Sequence, residues 1–198
     1  MEAREIIGGL IAFLLLLAFP GSLFWITRHE VAKRKQFRTP RFWDLIITGD
    51  DDNRFSLSRL QMFLWTLFIV VAFVMVFLHD LAIPFIPSNL YLLMGVNFTT
   101  SVLSTAIALR RDMPKGNGGP HFMRDIFFPA GDSLDLPRTQ MFIWTIVSLG
   151  VFAGLFYESW IAGKPSLPDI SSGLVALMGL SNGAYLGVKA APPAKKTQ

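Results

Sequence analysis

The chain has 198 residues, of which 52% are hydrophobic, 13% aromatic and only 16% charged, against about 25% charged in a soluble domain. With a mean hydropathy of +0.47, this excludes an ordinary soluble domain and a disordered chain. The absence of Cys excludes a disulfide scaffold, a thiol nucleophile and any zinc or iron–sulfur site built on cysteine.

From Ile6 to Thr27 the chain is uncharged over 22 residues, and about 20 apolar residues in a helix cross the roughly 30 Å hydrocarbon core. This stretch reads as the first transmembrane helix, bent at Pro20-Gly21. A cleaved signal peptide is disfavoured, because no A-x-A-like site follows and the basic flank lies on the C-terminal side.

Four further uncharged stretches follow: Leu60–Leu78, Leu81–Leu109, Thr139–Tyr157 and Ile170–Val188. The second of these should be helical only from Ser88, since Pro84 and Pro87 interrupt it. Before the second and fourth spans stand Ser56 and Asp135, both suited to N-capping, with Pro137 acceptable in a first turn.

The lead-ins to these spans carry Phe42, Trp43, Leu45, Ile46 and Ile47, and then Phe122, Met123, Ile126, Phe127 and Phe128. Flanked by Arg and Lys, they are expected either to lie at headgroup level or to fold onto the bundle. Gly49-Asp-Asp-Asp-Asn53 lacks the spacing of a calcium loop, and Lys115–Gly119 reads as a linker.

Lys and Arg are segregated on alternate loops: sixteen fall between spans one and two, between three and four, or after span five, and two, Arg4 and Lys164, on the other side. Basic loops stay in the cytoplasm. The expected orientation is N-terminus out and C-terminus in, in a bacterial inner (plasma) membrane. The net charge of +4 then answers anionic headgroups, and no nucleic-acid partner is expected.

Arg59-Leu-Gln-Met-Phe-Leu-Trp-Thr66 matches Arg138-Thr-Gln-Met-Phe-Ile-Trp-Thr145 at six of eight positions, 79 residues apart. Leu93-Met94-Gly95 recurs as Leu177-Met178-Gly179. An internal duplication follows. The expected architecture is an all-α integral membrane protein with five transmembrane helices, one N-terminal span plus two tandem helical hairpins of the same orientation.

The units are residues 1–27 (N-terminal span), 28–111 (first repeat), 112–190 (second repeat) and 191–198 (cytoplasmic tail). The repeats are expected to be related by a pseudo-two-fold axis along the membrane normal, as in parallel-repeat transporters.

Gln61 and Trp65, like Gln140 and Trp144, are spaced i, i+4 and share a helix face. With Arg59 and Arg138 they form either ordinary packing and an aromatic belt or a symmetric docking surface for a partner. Gly95, Gly179, Gly183 and Gly187 would let another helix approach closely. Asn97, Thr100, Ser101 and Ser104 form a polar stripe on one face, with Asn182 at a comparable depth.

That stripe is interhelical glue or the lining of a pore. No charge lies inside any span, which argues against a proton relay or an ion-coupled transporter. No catalytic motif, cofactor or metal cluster is expected, His29, His79 and His121 being scattered. The function that follows is a non-enzymatic subunit, a homo-oligomer or part of a membrane complex, that assembles partners through its basic cytoplasmic face. A small oligomeric channel is the alternative.

Overall fold

The computed structural model describes residues 55–111, 122–128 and 134–191. The span Ile6–Thr27, the first lead-in, the acidic run at Asp50, the linker at Lys115, His29, His121 and the residues after Ala191 lie outside the described residues. Within them the chain is all-helical: α1 (Leu57–Asp80), α2 (Ser88–Arg111), α3 (Phe122–Phe127), α4 (Leu136–Ile161) and α5 (Ser172–Ala190). Three of these helices, α1, α2 and α4, are long and apolar enough to cross a membrane. The last expected span, α5, is helical over 19 residues. It carries Ser181, Asn182, Tyr185 and Lys189 and is not among these three.

Helix boundaries have local causes. Asp135 accepts a hydrogen bond from the Arg138 backbone N–H at 3.2 Å, and Pro137 occupies the first turn of α4. Ser56 stands at the corresponding place before α1 but does not cap. Its hydroxyl shares a 3.2 Å hydrogen bond with that of Ser58 instead.

α1 stops at Leu81, in the left-handed region at φ 53°, its N–H donating to the Phe77 carbonyl at 2.7 Å. Pro84 and Pro87 hold the link extended until α2 begins at Ser88, where expected. α5 begins two residues after Ile170 because Ser171 accepts from the Leu174 N–H at 3.3 Å.

The long helices form a four-membered ring in which α1 packs on α2, α2 on α5, α5 on α4 and α4 on α1. Cross-links fix their directions. At one end the Arg138 guanidinium stands 5.5 Å from the Tyr185 ring, and the Phe55 N–H donates to Asp125 at 3.2 Å. At the other, His79 meets Trp160 edge-on at 5.8 Å and Asn89 donates to Asp169 at 3.0 Å. α1 and α4 therefore run parallel, and so do α2 and α5.

The hairpins lie side by side, with α1 diagonal to α5 and α2 to α4. A two-fold axis through the ring would instead place α1 opposite α4, so the expected axis is corrected to a lateral relation. Two apolar clusters fill the interior. One joins Trp65, Ala72, Leu90, Leu93, Phe152 and Met178; the other, at the Arg138 end, joins Leu57, Leu60, Ile126, Met141 and Tyr185.

Candidate functional site

The side-by-side arrangement decides which matched residues face inward. When a hairpin is shifted sideways, the direction to the centre of the ring turns by about a quarter circle for each helix. One residue along a helix turns the face by about 100°. Burial follows this closely. Gln61 and Trp65 are buried on α1, whereas on α4 the buried positions are Met141 and Thr145, one residue beyond the matched Gln140 and Trp144. Gln140 is exposed and Trp144 half-buried, so the matched Gln and Trp are not presented as two equal surfaces.

Trp65, at 0% exposure, packs edge-to-face on Phe152 with ring centroids 5.9 Å apart. Arg59 and Arg138 are both half-buried at the same end of the ring. Arg138 is held firmly: its Nε lies 3.1 Å from the Asp135 carboxylate, and a terminal nitrogen donates to the Asp125 carbonyl at 3.0 Å.

The expected polar stripe is buried in full. Asn97, Thr100, Ser101 and Ser104 all face inward from α2, opposite Ser181, Asn182 and Tyr185 of α5. The threonines of the interior satisfy themselves locally, Thr100 donating to the Val96 carbonyl at 2.8 Å and Thr145 to Met141 at 2.7 Å. The amides do not. Both polar atoms of Asn97 and of Asn182, with Gln61 Oε1, Trp65 Nε1 and the hydroxyls of Ser148 and Ser181, have no hydrogen-bond partner among the described residues. Every long helix thus contributes an unpaired polar group to the interior, where each is costly.

The glycines take a different place. A Cβ built on Gly95, Gly179, Gly183 or Gly187 would meet nothing within 4 Å. The close approach expected of them is made by no described helix, although α2 and α5 pack on each other. Gly95, Gly179 and Gly183 instead line, together with Thr100 and Asn182, an outward groove of about 430 Å³ between these two helices, flanked by Tyr91 and Leu186.

One cluster escaped the sequence reading. The Lys189 ammonium donates to the Ser104 hydroxyl at 2.6 Å, and Ser104 shares a 2.9 Å hydrogen bond with the Tyr185 hydroxyl. Ser104 and Lys189 are 85 residues apart, so no motif could have joined them. The available signal was Lys189 at the end of an otherwise uncharged helix that also carries Tyr185 one turn earlier. At 1% exposure, Ser104 is closed to a substrate, which separates the cluster from a Ser–Lys catalytic pair despite its geometry.

Among the described residues no group of three or more His, Asp or Glu could hold a metal ion. Comparison with protein families, curated proteins and solved structures finds no match to the chain.

Proposed function

We propose that the chain is a multi-pass membrane subunit of five spans, built from an N-terminal helix and two duplicated hairpins, that anchors a larger complex through its basic cytoplasmic end. The observation that carries this reading is the polarity of the bundle. Arg59, Arg110, Arg124, Arg138 and Lys189, against Asp125 and Asp135, belong to one end, while Asp80, Glu158 and Asp169, against Lys164, belong to the other. Between the ends, large apolar side chains such as Phe98, Val102, Ile143 and Leu180 point outward, as a lipid-facing surface requires.

The basic end also offers contacts suited to a partner. Met123, Leu134 and Leu136 are exposed apolar residues beside Arg124 and the exposed Gln140. Mild-detergent extraction followed by affinity capture and mass spectrometry tests the reading. A partner should be recovered in fixed ratio with wild type and lost with Met123→Asp plus Gln140→Ala. Recovery of the chain as a pure homo-oligomer would count against it.

A second reading, a water-lined path through the bundle, is favoured by the amides of Asn97 and Asn182, which have no partner among the described residues. Ion flux through purified protein in vesicles is the measurement that separates the two.

A further inference from the structure

We infer that the uncharged first stretch of the chain, Ile6–Thr27, seats as a helix in the outward groove between α2 and α5, and that the Asn182 amide closes the contact by donating to the Leu16 carbonyl. The inference rests on the reading of the chain as a five-span membrane subunit and gives the first span its place.

The first observation is the groove. It holds about 430 Å³ and is lined by Gly95, Gly179 and Gly183, at each of which a Cβ would meet nothing within 4 Å. Small residues of this kind let the backbone of a further helix come close.

The second observation is a buried amide on its wall. Asn182 lines the groove at 2% exposure, and neither its Nδ2 nor its Oδ1 has a partner among the described residues. An amide held without a partner in apolar surroundings is costly. A lipid acyl chain in the groove offers it nothing, whereas a helix that carries a free carbonyl does.

The third observation is what the first span carries. In a helix, Pro20 lacks the N–H that the Leu16 carbonyl would accept, and membrane helices satisfy such a freed carbonyl through a neighbour. Because α1 starts at the basic end, a span preceding it crosses toward that end, in the direction of α2 and α5. Leu16 then stands ten residues into its run and Asn182 ten into α5. The free acceptor and the free donor share one depth.

Gly8, Ala12 and Leu16 recur every fourth residue, so a helix presents them on one face. Ala12, six residues into the run, comes close to the level of Gly95 and Gly179, each seven residues into its helix. Residues 28–54, at about 3.3 Å each, extend well beyond the width of a four-helix ring, so the link to Phe55 permits this seat.

The chain has no native Cys, and paired cysteines in the full chain, treated with a short thiol cross-linker in membranes, test the contact. Leu16→Cys with Gly183→Cys should link within one chain, at least tenfold more than Leu16→Cys with Val70→Cys on α1 or Val151→Cys on α4. Both controls are exposed at the same depth on the opposite side of the ring. Should Gly183→Cys fail to fold, Thr99→Cys on the α2 wall takes its place.

Linked dimers of Gly183→Cys alone would put a second copy in the groove and overturn the seat. Linkage to Val70→Cys or Val151→Cys would overturn it as well, and so would the absence of any link, which leaves the groove to lipid. Asn182→Leu should lower the unfolding midpoint of wild type but not that of Pro20→Leu, whose helix regains the N–H that Leu16 accepts; equal losses would overturn the hydrogen bond. Ala3→Cys closed to an impermeant thiol reagent from outside would overturn the five-span reading itself.

Discussion

Trp65 and Trp144 separate a core residue from a peripheral one at matched positions. Trp65 fills the space between α1 and the Phe152 ring of α4, so Trp65→Ala leaves a cavity that a helical bundle closes poorly. Truncating a buried Trp costs about 3 to 5 kcal/mol in soluble cores. In a membrane the lower end applies, because lipid already satisfies apolar surface. Trp144→Ala, half-buried, should cost less than about half as much in the same denaturant titration, and equal losses would contradict the one-residue turn of the faces. Leu81 supplies a second test at this scale. Its left-handed backbone strains an L-residue by about 1 kcal/mol, and its side chain is 71% exposed, so little packing is lost with it. Leu81→Gly should therefore raise stability by up to about 1 kcal/mol, read as a higher unfolding midpoint.

At the scale of the element, the glycines of α5 make the sharper prediction. Gly183→Leu puts a large side chain where a Cβ meets nothing, and it also replaces a poor helix former. With the groove empty the bundle tolerates it, stability being unchanged or higher by about 0.5 kcal/mol. With the first span in its proposed seat, the loss should exceed about 1 kcal/mol, measured in detergent at low protein concentration. The helices themselves were legible: uncharged runs and proline breaks placed α2 at Ser88 as expected, and Asp135 marked the start of α4. Which face α1 and α4 bury was not legible, because these helices are apolar nearly all round and a hydrophobic stripe then carries little direction; on α2 the stripe of Asn97, Thr100, Ser101 and Ser104 did mark the buried face. The lateral packing of the hairpins turned Gln61 inward and left Gln140 outside, and no local pattern encodes that choice. Ser104 and Lys189 were hidden for a related reason, since only the packing of α2 on α5 brings them together.

Across the whole molecule, the segregated charges and the polar interior each make a measurable claim. The chain has no native Cys, so single cysteines report topology cleanly. Ile83→Cys, at a site 85% exposed at the acidic end, should react with an impermeant thiol reagent added outside, and Met123→Cys, at a site 66% exposed at the basic end, should not. The reverse pattern would invert the proposed orientation and overturn the proposed docking at the cytoplasmic end. The interior poses the deeper question, because Asn97 and Asn182 hold four polar atoms without a partner among the described residues, and unsatisfied buried groups cost about 1 to 3 kcal/mol each. If these amides only face each other's helices across a dry core, Asn97→Leu removes a penalty and keeps the branched four-atom shape, at a somewhat larger volume. The variant should then unfold later by about 1 kcal/mol or more, and neither protein should pass ions in vesicles. If the amides line a wet path, wild type should conduct, and Leu at position 97 should stop the flux by dewetting the narrowest part while the assembly stays intact. Flux in wild type that survives Asn97→Leu would place the path outside the bundle, and a less stable Asn97→Leu without flux would show that Asn97 is bonded to a partner in the membrane.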